Sequence, residues 1–231
     1  MMFWNKIEVD NLKIVLKDNN PYYVKIDSFS NLDIIVNENI SSKLVILGNS
    51  DYNINVLLKE NANLLVNSLN KDNNVNVTIN LKENTYINYN HSIMSEKNSN
   101  NSFIINHLEN NSTSIINNNG INMSSHNLFF KIDGIIPQRL SNISCSQNSK
   151  IINFNNGNSK IIPNLIIDSN DIVANHSAYI GKIDDEEKFY MASRGLSNID
   201  IKKLIYKSVL LGKMELLEEE EEFNKIINEW W

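Results

Sequence analysis

Short apolar alternations recur along this chain about every 10 to 12 residues from Leu12 to Ile172, with clusters of Asn, Ser, Asp and Lys between them. Leu12, Ile14 and Leu16 form one such set; Val75, Val77, Ile79 and Leu81 form another. A period of two puts every second side chain on the same face, so each set reads as a half-buried strand. Leu44 to Leu47 and Leu165 to Ile167 are instead unbroken apolar runs, as expected of strands buried on both faces. Evenly spaced short strands suit a sandwich or a stacked solenoid. The turns favour the solenoid. Hairpin sandwiches need Gly or Pro at their corners, and this chain has only 7 Gly and 3 Pro, whereas roughly a fifth of it is Asn. Asn tolerates left-handed backbone angles, and its amide can hydrogen-bond to a like amide one coil above. An AT-rich coding bias would also enrich Asn, Ile and Lys. The fold expected is mainly β: a solenoid over residues 8–177, with coils of about 20 to 30 residues, and a helical region over residues 178–231.

A length of 231 residues is enough for one core with an appendage. The net charge of −6 and the dispersed basic residues argue against a nucleic-acid partner, whose phosphates require clustered Lys and Arg. Cys145 is the only cysteine, which excludes an intramolecular disulfide and a Cys-based metal cage within one chain, and fits a reducing compartment. No apolar run reaches the roughly 20 residues of a membrane span. The first six residues lack the apolar stretch of a signal peptide. The expectation is a cytoplasmic protein that starts where this sequence starts and binds no membrane. Phosphate-binding loops and dinucleotide turns are absent from the sequence.

The pattern changes after His176. Asp184 to Glu187 place four carboxylates where a helix N-terminus has unpaired N–H groups, Arg194 falls near the end of that helix, and Gly195 stands where a left-handed cap is wanted. Ser197 and Asp200 form an acidic variant of the capping box, and helical spacing follows through Ile201, Leu204, Ile205, Ser208, Val209 and Leu211, giving a second helix over Asn198 to Leu211. A third is expected over Met214 to Trp231, with Glu218 to Glu222 as its solvated face.

The same junction resembles the C-terminal signature of the SufB/SufD family, scaffold components of the Suf iron–sulfur cluster assembly system. His176, Ala178, Gly181, Lys182, Ile183, Asp184, Asp185, Glu186, Phe189, Tyr190, Met191, Ser193, Arg194, Gly195 and Leu196 match it in order. The detailed match runs from Pro163 to Gly212; upstream only the β-repetitive character agrees. The resemblance implies a right-handed parallel β-helix capped by a helical region that docks the ABC ATPase SufC. Phe189, Tyr190, Met191, Arg194 and Gly195 would then be partner-binding residues. It also implies pairing with another SufB/SufD-like chain, as a heterodimer or a homodimer, with a transient Fe–S cluster forming at the interface. Such a chain is not an enzyme and holds no tightly bound cofactor by itself. ATP would be hydrolysed by the partner.

His176 matches the histidine of the SufD-type signature, and imidazole can ligate iron or accept a proton. It is the cluster-assembly candidate, against the plainer reading of a packing histidine. Ser177 stands where a SufB-type chain has glutamate, and Tyr179 where Thr is usual. The position matching the essential SufB cysteine falls near Asn148, three residues from Cys145. A strand reverses direction with each residue, so Cys145 as a cluster ligand competes poorly with Cys145 as a small buried hydrophobe. The chain is therefore closer to SufD. His107 and His126 lie about a coil apart, as a shared metal site or as ordinary polar positions. Phe189 is expected to pack on the open end of the solenoid while other side chains of its helix face a partner. The rival reading is a polysaccharide-binding or polysaccharide-acting β-helix, which would need carboxylate pairs along a groove; acids are sparse between Leu44 and Asn170.

Overall fold

The computed structural model describes residues 5–8, 13–154, 156–216 and 220–230. Strands β1 (Asn5–Glu8), β2 (Lys13–Leu16), β3 (Tyr22–Ile26), β4 (Ser30–Val36), β5 (Ser41–Gly48), β6 (Tyr52–Leu58), β7 (Asn63–Lys71) and β8 (Val75–Leu81) open the chain. They continue as β9 (Tyr86–Ser95), β10 (Ser99–His107), β11 (Thr113–Asn122), β12 (Asn127–Ile136), β13 (Ser141–Asn153), β14 (Asn158–Ile167) and β15 (Asp171–Lys182). Three helices follow: α1 (Asp185–Ser193), α2 (Asn198–Leu211) and α3 (Glu220–Glu229). Residues 217–219 and 231, part of the third helix expected from the sequence, lie outside the described residues.

Odd-numbered strands form an eight-stranded sheet and even-numbered strands a seven-stranded one, each stacked in chain order and parallel throughout. This is a β-solenoid in which every coil gives one strand to each sheet. Its core is the apolar seam between the sheets, where Leu32, Ile54, Val77, Phe103 and Phe130 meet Val24, Ile46, Val66 and Tyr89. The coils are not of constant length. Tyr22 pairs with Leu44, 22 residues on, Asn80 with Asn106, 26 on, and Asn117 with Asn148, 31 on. Strands lengthen in step, from 5 residues in β3 to 13 in β13, so the solenoid widens toward its C-terminal end.

Asn does at the corners what the turn chemistry predicts. Asn39, Asn61, Asn84, Asn111 and Asn142 all have positive φ, between 54° and 60°, where Asn is among the few residues tolerated. The amide of Asn61 donates to Asn39 Oδ1 at 3.1 Å, Asn84 to Asn61 at 3.1 Å, and Asn142 to Asn111 at 2.9 Å. One side chain thus relieves the strain of its own turn and links it to the coil below.

The helical boundaries follow their caps. Asp184 accepts the Glu186 N–H at 2.9 Å, and Gly195, at φ 88°, ends α1. Ser197 accepts the Asp200 N–H at 3.2 Å and returns its hydroxyl to Asp200 Oδ2 at 2.6 Å. The helices lie on the outer face of the eight-stranded sheet. Val45, Leu47, Leu69, Met94, Ile121 and Ile152 point out from that sheet and pack against Tyr206, Val209, Leu210, Phe223 and Ile227. Ser92 donates to the Leu210 carbonyl at 2.5 Å, and Lys43 and Asn67 donate to the Glu215 carbonyl at 2.8 and 3.1 Å. The run Leu44 to Leu47 is buried on both faces because the second face meets these helices.

Candidate functional site: the uncovered last coil

Each sheet ends on its last strand, β15 in one and β14 in the other, and among the described residues no strand pairs with their outer edges. Nor do the helices cover them. Ile166, Val173, Tyr179 and Ile180 are 51%, 66%, 53% and 43% exposed, whereas the apolar residues of the seam between the sheets are almost wholly buried. A long, straight, apolar edge with a free row of N–H and C=O groups is a template for another strand, and soluble proteins ordinarily cover or charge it.

His176 lies on this edge strand. It sits opposite Gln147, and Cys145 pairs with Ala174 and Ser149 with Ala178. Parallel in-register neighbours point the same way, and Cys145, Gln147 and Ser149 are buried inside the solenoid. His176 is therefore on the lumen side of the open end, and it is exposed there. Its neighbour Ser177 faces outward and donates to Asn148 Oδ1 at 3.0 Å, and Asn148 donates to Asn117 Oδ1 at 3.1 Å, closing an amide ladder that continues through Asn90 to Asn67. Asn148 and Ser177 thus form a bonded pair on the outer face of the last two strands.

Cys145 is 0% exposed, packed with Ile136 and Ile143, and burial pushes its thiol pKa up. Its direction and its protonation both suit a small hydrophobe. His107 and His126 stand as separate polar positions, the plainer of the two readings that their spacing allows. His107 is buried, and its Nδ1 and Nε2 lie 2.7 and 3.0 Å from the hydroxyls of Ser112 and Ser114, so both ring nitrogens are engaged; burial lowers its pKa to about 4. His126 is exposed in the turn before β12. Among the described residues no group of three or more His, Cys, Asp or Glu side chains could hold a metal ion.

The helix α1 buries none of its residues. Phe189 is 76% exposed and Tyr190 59%, so Phe189 does not pack on the end of the solenoid as its position in the sequence suggests. The reason is where the helices lie: α2 and α3 have taken the sheet face, and α1 rests against α2. Arg194 donates to the Tyr190 hydroxyl at 3.1 Å with its guanidinium 5.1 Å from the ring centre, which fixes both side chains on the surface. Ile199 and Leu204 of α2 are 65% and 49% exposed nearby in sequence. A cleft of about 800 Å³, lined by Ile152, Tyr179, Glu186, Tyr190, Met191 and Leu204 among others, runs between α1, α2 and the last strands. The sequence singled out His176 and the aromatic pair but not the exposed apolar edge; the unbroken run Leu165 to Ile167, expected to be buried on both faces, is instead open because β14 is the last strand of its sheet, with Ile166 51% exposed.

No helix among the described residues is long and apolar enough to cross a membrane. The fold is thus a widening parallel solenoid with helices along one side and an uncovered last coil. A model of the SUF system FeS cluster assembly family, SufBD core domain, matches residues 30–209, from the start of β4 almost to the end of α2. The chain belongs to that family. No curated protein matches the chain.

Proposed function

We propose that this chain is a non-catalytic scaffold subunit of a Suf-type iron–sulfur assembly complex, acting in the cytoplasm and closer to SufD than to SufB. The observation that carries the proposal is the last coil: Val173, Tyr179, Ile180 and Ile166 stand exposed on strands whose outer edges have no partner. A second SufB/SufD-like chain, identical or not, would continue both sheets across that edge. Core residues 8–177 serve this pairing, and residues 178–231 dock a SufC-like ABC ATPase through Phe189, Tyr190, Met191, Arg194 and Gly195. The exposed apolar face of α1 supports the second role.

The cluster is cargo, formed between paired chains and passed on. His176 faces the lumen side of the joint, where an imidazole could ligate iron or take a proton from an incoming thiol. Asn148 and Ser177 offer no thiolate or carboxylate, so the anionic ligands would come from the other chain, which is the division of labour expected of a SufD-type partner. ATP-driven closure of two ATPase subunits would pull on both helical regions and move the cores that they ride on. The test is anaerobic capture of the tagged chain from its native cytosol. A stoichiometric ABC ATPase supports the reading, and Arg194→Glu should then weaken that capture with the β circular dichroism unchanged. A clean chain with no ATPase would overturn it.

A further inference from the structure

A second, smaller pocket lies on the outer face of the eight-stranded sheet, beside the edge strand and away from the lumen. It has a volume of about 230 Å³, and its lining includes Asn117, Asn119, Lys150, Ser177, Tyr179 and Lys213. Three coils and the turn after α2 build it: Asn119 of β11 sits opposite Lys150 of β13, which sits opposite Tyr179 of β15, while Lys213 arrives from the turn.

The charge in this pocket is one-sided. No carboxylate lines it, and among the described residues neither lysine has an ion-pair partner. Lys150 Nζ lies 5.7 Å from the centre of the Tyr179 ring, which leaves its donors unspent. Glu215, two residues beyond Lys213, is turned away: its carboxylate accepts from Asn88 at 3.3 Å and its carbonyl from Lys43 and Asn67. At the floor, Asn119 is 7% exposed and its Nδ2 has no acceptor at all. Its neighbour Asn117 has spent its own amide on Asn90 Oδ1 at 2.8 Å. A buried N–H without an acceptor is an unfavourable state that a native structure keeps where something else completes it.

We infer that this pocket binds a small oxyanion of the phosphate class, held by Lys150 and Lys213 and completed by the Asn119 amide. Two ammonium groups and an amide donor repel a metal cation and match an anion with several acceptor oxygens. This donor set makes the outer face at Ser177 a site of the opposite charge preference to a cluster-holding one. Bound there, the anion ties β13 and β15 to the turn behind α2, linking the edge strand to the helical layer. The inference stands apart from the ATPase reading, and each can fail alone.

The experiment is a titration of the full chain with inorganic phosphate at constant ionic strength, with chloride as the exchanged ion, following the Asn119 side-chain amide by NMR. A saturable shift is expected, weakened several-fold by Lys150→Gln or Lys213→Gln alone and at least tenfold by both together. Lys160→Gln, on the seven-stranded sheet, should bind as the parent does. Circular dichroism of each variant establishes that the fold is kept. A response no different from that to chloride, or a folded double variant that binds phosphate normally, overturns the site.

Discussion

The middle coils and the last coil of this solenoid are made of the same material and end in opposite states. In the middle, β7, β9 and β11 have a strand on both sides, apolar side chains in the seam and helices over the outer face. Asn90 there is 0% exposed and both accepts and donates within its ladder. At the end, β15 has a strand on one side only, its outward residues are open, and the ladder stops at Ser177. Repeat proteins obtain stability from neighbours, so a terminal coil lacks half of what an inner coil has. Such an end is usually blunted with charge, proline or a covering element, and β14 does carry Lys160 and Pro163 while β15 has no proline. Here the helices that could have covered it lie along the side instead. The difference separates two states: inner coils complete one another, and the last coil ends with one side open.

The largest effect that would sharpen this comparison is in the seam. Phe103 is 0% exposed and meets Tyr89 edge-on at 5.5 Å between ring centres. Phe103→Ala should cost about 3–5 kcal/mol in urea unfolding, from lost transfer energy and the cavity left behind. Val173→Ala, with Val173 66% exposed on β15, should stay within about 0.5 kcal/mol. Similar losses at the two sites would break the distinction.

Acid should weaken the inner coils next. His91 is fully buried among Asn70, Phe103 and Phe130, and burial lowers its pKa from 6.5 to about 3; His107 falls to about 4 for the same reason. Both are depressed in the folded state, so protons prefer the unfolded chain. The stability involved is fully present above pH 6.5 and is lost as pH falls toward 4 and then 3. Between pH 7 and pH 5 the two together should remove roughly 2–4 kcal/mol. Urea titrations at the two pH values measure this, and His107→Asn should reduce the difference by about half.

Smaller again is the corner ladder. Asn61→Ala removes the amide links to Asn39 and from Asn84 and forces a Cβ-bearing residue without a polar side chain to hold φ 57°. The cost should be about 1–2 kcal/mol. Asn61→Gly keeps the turn unstrained and loses only the two ladder bonds, to Asn39 and from Asn84, so it should fall between Ala and the parent. If Gly proves as damaging as Ala, the ladder bond and not the backbone angle is what the Asn supplies.

The legible and illegible parts of this molecule divide by range. Strand alternation, Asn corners, and the caps at Asp184, Gly195 and Ser197 are local, and each was visible within a few residues. Coil length is set by pairing across 22 to 31 residues, and single-strand patterns carry no trace of its growth. The position of the helices was equally hidden. Leu44 to Leu47 announced that one sheet face would be covered, yet nothing in the run said that α2 and α3 would be the cover and that Phe189 would be left outside. His176 could be singled out by its resemblance, but its direction depends on the register with Gln147. The pocket at Lys150 and Lys213 joins residues from different layers and has no sequence signature.

The smallest effect on stability should accompany the largest on assembly. Ile180→Lys places a charge on the open edge strand, at a side chain that is 43% exposed, and should change the urea midpoint of the isolated chain by no more than about 0.5 kcal/mol. A strand added to that edge would have to bury the ammonium or splay away from it. Pairing with a second chain, read as mass by light scattering or by co-capture, should therefore be lost while capture of the ATPase through α1 persists. The converse variant, Phe189→Asp, should lose the ATPase and keep the pairing. Both variants losing both partners would mean that edge and helix form one continuous surface, and the separation of the bare coil from the helical side would have to be abandoned.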